Sequence, residues 1–330
     1  MSFFGRLRDR VFTSFRWRLG LYEQKIRLAR IEDKLDFLLG ESCLMNASLP
    51  REDIIGKGGL PVVFIADKRY FEPAQIAIMS LLCNAAPKSR IDLYLILSGC
   101  DECDRQLVGQ LFPGITVIQA NPPEDEKISH AYVSDTALLK FDLPELLPEL
   151  DSVLYLDCDI SVREDIAPIF ECDLTEVYTA AVKDCGFLHS DNAERKNNRK
   201  KYNYFNSGIL LLNLKKMRSD HIREKLHQER KRNRNHRFVD QDCFNQVFGD
   251  KVKYLPLKYN VYYDHIVSQE IPEAELSEIY GESVREIREA LHHPILFHQT
   301  PKPWQTTQTF GYGFYLQMKT NLEKMKLRKS

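Results

Sequence analysis

The run S-V-L-Y-L-D-C-D-I, Ser152 to Ile160, decides how the rest of the chain reads. Its apolar, β-branched and aromatic residues give a buried strand that stops abruptly at two carboxylates. In open α/β sheets, ligands bind at the carboxyl ends of the strands. Asp157 and Asp159 are two apart, so they share a face of a strict strand, and just past it their oxygens can converge on one hard divalent cation. A solvated turn explains an isolated D-x-D as well, because Asp is common in turns. The strand directly ahead of this one shifts the balance toward a site.

A chain of 330 residues with 43% apolar content can bury a large core. Its 46 basic and 47 acidic residues give a net charge of −1, which argues against nucleic acid as a partner. Of its cysteines only Cys100 and Cys103 stand in C-x-x-C spacing. With no second pair of ligands to complete a zinc site, they read as reduced thiols of a cytosolic protein. No run of about eighteen apolar residues and no signal-type apolar segment occurs, so a cytoplasmic location is expected.

Charge is uneven along the chain. Residues 1–30 carry eight Lys and Arg against two acids, interleaved with Phe3, Phe4, Phe12, Phe15, Trp17 and Tyr22. That mixture suits a helix lying on an anionic membrane surface. Further on, Ile26, Leu28, Ile31, Leu35, Phe37 and Leu38 recur among charges as in an amphipathic helix, which can pair with a second copy as a homodimer or pack on the main domain. The expected organisation is a basic amphipathic extension and linker over 1–55, one α/β domain over 56–305, and a basic, solvated tail over 306–330.

The α/β pattern begins at Pro61. P-V-V-F-I-A-D is a strand ending at Asp67, residues 74–84 have helical apolar spacing, 91–98 form a second strand, 101–112 a helix and 115–119 a third strand. That alternation gives a parallel sheet with helices on both faces, in which Asp67 and Asp157 both lie at strand ends. Neither a G-x-G-x-x-G nor a G-x-x-x-x-G-K-[ST] loop is present, so the standard dinucleotide and P-loop readings fail.

Three later stretches add candidates. Y-F-N-S-G-I-L-L-L-N-L, Tyr204 to Leu214, is a buried strand entered through Asn206, Ser207 and Gly208, which fit either close ligand approach or a turn. After it, Lys215 to Arg237 holds ten basic residues against three acids on a long helix and its following loop, a solvated face or a patch for phosphate-bearing acceptors and anionic lipid. V-D-Q-D at 239–242 opens a helix, where capping alone explains the acids. In P-I-L-F-H-Q-T-P-K-P-W, Pro294 to Trp304, an apolar strand again ends at a candidate ligand, His298, with Lys302 and Trp304 close behind.

Taken in order, V-V-F-I-A-D-K-R-Y, S-V-L-Y-L-D-C-D-I-S-V, F-N-S-G-I-L-L-L-N-L, V-D-Q-D-C-F-N and F-H-Q-T-P-K-P-W resemble glycosyltransferase family 8 from Pro61 to Trp304. These are the retaining enzymes related to lipopolysaccharide galactosyl- and glucosyltransferases and to glycogenin. The resemblance implies an α/β GT-A fold, a UDP-sugar donor carrying glucose or galactose, and a divalent ion, Mn²⁺ or Mg²⁺. It places Ala66, Asp67 and Tyr70 at the nucleoside, with Tyr70 stacked on the base, and Asp157, Asp159 and His298 on the metal. Cys158, Asn206 and Ser207 join the donor site, and Lys302 the diphosphate. Asp240 and Gln241 fall beneath the sugar ring as the catalytic residues. The implied acceptor is a glycan or lipid-linked glycan at the inner face of a membrane.

Departures from the family pattern are as informative. His298 to Lys302 is two residues shorter than the family's H-x-x-G-x-x-K-P-W and lacks its Gly. Ser134 to Pro144 resembles a family helix bearing an Arg that reaches the donor; that position falls at Leu138, with Lys140 a nearby substitute. Lys68 and Arg69 follow Asp67 where the family often has an acid and a small polar residue, adding positive charge at the cleft. These departures also suit a catalytically degenerate scaffold of the same fold. The D-x-D-x-S opening of haloacid-dehalogenase-type phosphatases is a weaker match, because at least three predicted strands precede it here.

Overall fold

A computed structural model of the chain describes residues 49–126, 134–186, 203–234, 236, 238–269 and 271–329. The expected membrane helix and homodimer contact over 1–48 lie outside the described residues.

The strands follow the apolar runs. β1 (Ile55–Asp67), β2 (Ile91–Ser98), β3 (Thr116–Gln119) and β4 (Val153–Leu156) lie parallel in the order β3-β2-β1-β4. Strands buried on both faces read as continuous apolar runs, and β2 is buried along its whole length. Beyond β4 comes β7 (Phe205–Leu212), antiparallel to β4 and to β6 (Thr179–Lys183), and then β8 (Val252–Tyr254), parallel to β6. The sheet is therefore mixed rather than wholly parallel. Parallel pairing could be read where a crossover helix separates two strands, but an apolar run such as 205–212 carries no direction. A second, two-stranded sheet pairs β5 (Ile160–Val162) with β9 (Leu296–His298).

Among the described residues the α-helices are α1 (Phe71–Asn84), α2 (Glu102–Leu111), α3 (Leu143–Leu146), α4 (Leu214–Ser219), α5 (Ile222–Arg232), α6 (Val239–Phe248), α7 (Tyr263–Ser268), α8 (Glu273–Tyr280), α9 (Val284–His292) and α10 (Tyr312–Lys329). Helix α2 starts at a capping box in which the Asp101 side chain accepts from the Asp104 N–H and the Asp104 carboxylate accepts from the Asp101 N–H. No helix among the described residues is long and apolar enough to cross a membrane.

Three segments differ from expectation. The first strand, expected from Pro61, begins at Ile55, and a Cβ at Gly59 would stand 2.6 Å from the Arg90 backbone, so glycine there permits the close pairing. The run from Lys215 to Arg237 is no single helix: it breaks at His221, whose φ is 53°. Its charges are partly neutralised within the fold. Arg218 donates to the carbonyls of Pro144 and Leu150, Arg223 pairs with Asp142 and Glu145, and Lys231 pairs with Asp125.

The basic tail is largely the helix α10, packed on α1 and α2. Tyr315, Met318, Leu322 and Met325 recur at i, i+3, i+7 and i+10 and are buried, while Lys319 pairs with Glu72 of α1 and Lys329 donates to the Gln110 carbonyl of α2. Leu322→Ala is expected to lower the unfolding free energy by about 2–5 kcal/mol in a urea titration. A solvated tail would lose no more than about 0.5 kcal/mol.

Candidate active site

β4 ends at Leu156, and the chain turns through Asp157 and Cys158 into β5, the Ile160 N–H donating to the Asp157 carbonyl at 3.1 Å. In the β5–β9 pair Ile160 stands opposite His298, which carries an imidazole from the far end of the chain to the D-x-D turn. Single ligand atoms of Asp157, Asp159 and His298 lie within 4.8 Å of one another. The orientation of the His298 ring follows from its neighbours. Asn260 donates through Nδ2 to Asn206 Oδ1 at 2.9 Å, so its own Oδ1, 3.2 Å from His298 Nδ1, accepts the imidazole proton. Nε2 lies 3.3 Å from Asp159 Oδ2 and 2.8 Å from the Tyr262 hydroxyl. A ligating His oriented through its other nitrogen is the usual pattern, and the carboxylate-rich set fits a hard ion such as Mn²⁺ or Mg²⁺.

Burial opposes charge on Asp159, yet Lys302 and His298 hold its carboxyl far below the usual range. Lys302 Nζ contacts Asp159 Oδ2 directly. Burial likewise disfavours the Lys302 ammonium, and Asp159 more than offsets this, raising its pKa. The shortened segment after His298 thus still delivers Lys302 to the cleft.

The cleft floor holds a second cation. Lys140 closes the 3-10 turn Asp135–Lys140 and is 3% exposed. Its Nζ lies 2.8 Å from Asp240 Oδ2, 3.2 Å from Asp157 Oδ1 and 3.3 Å from the Ser207 carbonyl. Burial works against this charge too, and Asp157 and Asp240 outweigh it, so the ammonium titrates above its ordinary value. Leu138, where the family's Arg position falls, is buried in the core, and its nearby substitute Lys140 lines the cleft. On a turn of about three residues per revolution, side chains two apart point to different sides, so only one of the two can face the cleft.

Helix α6 brings Asp240 and Gln241 in from the other side. Asp240 Oδ2 accepts from Ser207 Oγ at 2.9 Å, while Gln241 Oε1 accepts from Asn206 Nδ2 and the Ser207 N–H, both at 3.0 Å. Gln241 Nε2 donates to Asp184 Oδ2 at 2.9 Å. Capping belongs to Asp242, which accepts from the Phe238 N–H, and so does not account for the whole D-Q-D stretch. Val239, a β-branched residue at φ 34°, is a strained position directly ahead of the pair. Gly208 lies inside β7 rather than in a turn, and a Cβ there would sit 2.5 Å from His298 Cε1 and 2.9 Å from Asp157 Oδ2.

At the end of β1, Asp67 accepts from the N–H groups of Arg69 and Tyr70 at 2.8 and 3.1 Å and from the Ser134 hydroxyl at 2.6 Å. Burial would raise its pKa, but Ser134, Arg69 and Tyr70 lower it on balance. The added positive charge expected beside it is balanced: Arg69 pairs with Asp67 and Lys68 with Asp104. Tyr70 lines the cleft and meets Trp304 edge-on, centroids 5.7 Å apart. Ala66 turns its side chain into the core, and the Cys158 thiol donates to the Ile65 carbonyl at 3.3 Å. Asn206 bonds inward to Gly208, Asn260 and Gln241, while Ser207 lines the cleft. Asn260, Tyr262 and Asp184 went unsingled in the sequence, since no motif marks them.

This sheet, with a D-x-D turn and an imidazole at its carboxyl edge, defines a GT-A fold, and galactosyltransferase LgtC, solved with donor and acceptor sugar analogs, shares it. LgtC matches with a TM-score of 0.65 at 24% identity, over 79% of this chain and 95% of that one. The chain belongs to glycosyl transferase family 8, whose family model matches residues 61–308. It is 28% identical over 261 residues to a lipopolysaccharide 1,2-glucosyltransferase of Escherichia coli, covering 76% of this chain and 74% of that protein. Glycosyltransferase GlyE of Streptococcus pneumoniae serotype 4 is 31% identical over 214 residues, 60% of this chain, which spans only 47% of GlyE.

Gly208→Ala is expected to weaken Mn²⁺ binding about 10–100-fold in a paramagnetic-resonance titration, by pushing His298 off Asp157. Lys140→Met, which leaves Asp157 and Asp240 uncompensated, is expected to cost about 3–5 kcal/mol in unfolding free energy. A loss below about 0.5 kcal/mol would mean that the buried charge is not needed.

Proposed function

We propose that this chain moves glucose or galactose from a UDP-hexose to a glycan or lipid-linked acceptor, with retention of the anomeric configuration. The observation that carries the reading is the convergence of Asp157, Asp159 and His298 beside Lys302, above a floor holding Asp240 and Gln241, in a family 8 chain. Asp67 and Tyr70 take the nucleoside, with the Ala66 backbone beside them. Asp157, Asp159 and His298 hold Mn²⁺ or Mg²⁺, which when bound supplies Lewis-acid stabilisation of the UDP leaving group. Lys302 adds its charge to the same diphosphate. Cys158, Ser207 and the Asn206-held Gln241 border the donor sugar.

A double displacement needs a carboxylate nucleophile about 5 Å from the acid, as in retaining hydrolases. Gln241 offers an amide whose oxygen already accepts two hydrogen bonds, and Asp240 is held by Lys140 and Ser207. This favours a same-face reaction in which the departing phosphate takes the acceptor proton. Gln241 then steadies the oxocarbenium-like sugar rather than attacking it. The names of the relatives support a lipopolysaccharide or other cell-surface acceptor. The basic, aromatic residues 1–30 favour docking on the cytoplasmic face of an anionic membrane.

The test is to incubate the protein with Mn²⁺ and UDP-glucose or UDP-galactose carrying a labelled anomeric carbon, and to read the first-formed sugar product by NMR. An α product is expected, and a β product would overturn retention. Gln241→Ala is expected to lower kcat about 10²–10³-fold with little change in KM. A degenerate scaffold of the same fold would turn over neither donor.

A further inference from the structure

Helix α10 lies beyond the 61–308 stretch that the family model matches, yet its first turn reaches back to the cleft. Its start is tied to the metal side of the site. Gln299, the residue after His298, is buried and donates through Nε2 to the carbonyls of Phe310 and Gly311 at 3.5 and 3.0 Å. Further along, α10 packs on α1, where Lys319 pairs with Glu72 at 3.3 Å. Glu72 stands in the first turn of α1, whose N-cap is Tyr70.

Between these two attachments Tyr315 meets the indole of Trp304, centroids 6.4 Å apart, and Tyr312 stacks on Tyr315 at 6.3 Å. Trp304 in turn touches two groups assigned to the donor. It meets Tyr70 edge-on at 5.7 Å, and Lys302 Nζ lies 5.8 Å from the centre of its ring. Aromatic pairs and cation–π contacts act over these distances. Tyr315 is buried, and its hydroxyl has no hydrogen-bond partner among the described residues. A buried hydroxyl without a partner costs stability, so the ring is what this position supplies. We propose that Tyr315 is a positioning residue for nucleotide binding: through Trp304 it holds the Tyr70 ring and the Lys302 ammonium, so a helix outside the family match sets affinity for a nucleoside diphosphate. Tyr315 touches no ligand itself. A Tyr70 ring released by Trp304 must be ordered again when the base arrives, which weakens binding. The inference rests on the donor reading of Tyr70 and Lys302 given above.

Calorimetric titration of the full chain with UDP and Mn²⁺ tests it. Tyr315→Leu keeps an apolar side chain in the core but no ring for the indole, and is expected to raise the dissociation constant about 3–10-fold, the size of one aromatic contact. Tyr315→Phe keeps the ring and is expected to stay within about twofold of the native value. Adding Tyr315→Leu to Trp304→Ala is expected to weaken UDP binding no further, because both act through one contact. A full additional loss would mean that the helix acts by another route, and would overturn the proposal. A second readout needs no nucleotide. With Trp17→Phe, Trp304 is the sole tryptophan, and its near-UV circular dichroism is expected to fall in Tyr315→Leu and persist in Tyr315→Phe. An undiminished signal in Tyr315→Leu would overturn the proposal even in a chain that binds no UDP. A native chain that binds no UDP, with the signal lost in Tyr315→Leu, would instead overturn the donor reading and leave Tyr315 as the holder of Trp304.

Discussion

Three carboxylates, Asp157, Asp159 and Asp240, share one largely buried cleft, and the fold delivers a lysine to each of them. At short range in a medium less polar than water such charges interact strongly, so geometry decides whether they help or harm. Lys140 joins Asp157 on the sheet to Asp240 on α6, and Lys302 joins Asp159 to the segment after β9. Each lysine is carried by an element far in sequence from a carboxylate it pairs with. Lys140 rides on a 3-10 turn whose leucines are sunk in the core, and Lys302 follows a strand paired with β5. The balance of charge thus ties four separate parts of the chain to one point.

Around that point the polar side chains hold one another. Asn206 links Gln241 to Asn260, Asn260 orients His298, and Gln241 reaches on to Asp184. A site in which each side chain is fixed by a neighbour is positioned before any ligand arrives. The strained φ of Val239 and the space kept by Gly208 are where the backbone accommodates this arrangement.

What could be read from the sequence was local. The run I-D-L-Y-L-I-L-S marks β2 at its true bounds, β1 does end at Asp67, and Asp157 and His298 do stand where apolar strands stop. Such signals need only a few consecutive residues. The direction of β7 was hidden because a fully apolar strand looks the same either way. Pairing of β5 with β9 was hidden because each is three residues long and their partners lie far apart in sequence. The family's Arg position falls at Leu138, which is sunk in the core, and the nearby substitute, Lys140, is the residue that lines the cleft; the pitch of a 3-10 turn had to be known before the inward side could be chosen between them. In α10, lysines masked an apolar stripe that is plain once the helix is seen.

The central claim is that Asp157, Asp159 and His298 act together as one ion site that serves a nucleotide diphosphate. Its most direct test is calorimetric titration of UDP with and without Mn²⁺, on the native chain and on Asp159→Ala. The account predicts a dissociation constant on the order of micromolar that requires the ion and is lost in the variant. Nucleotide binding indifferent to both the ion and the substitution would contradict it.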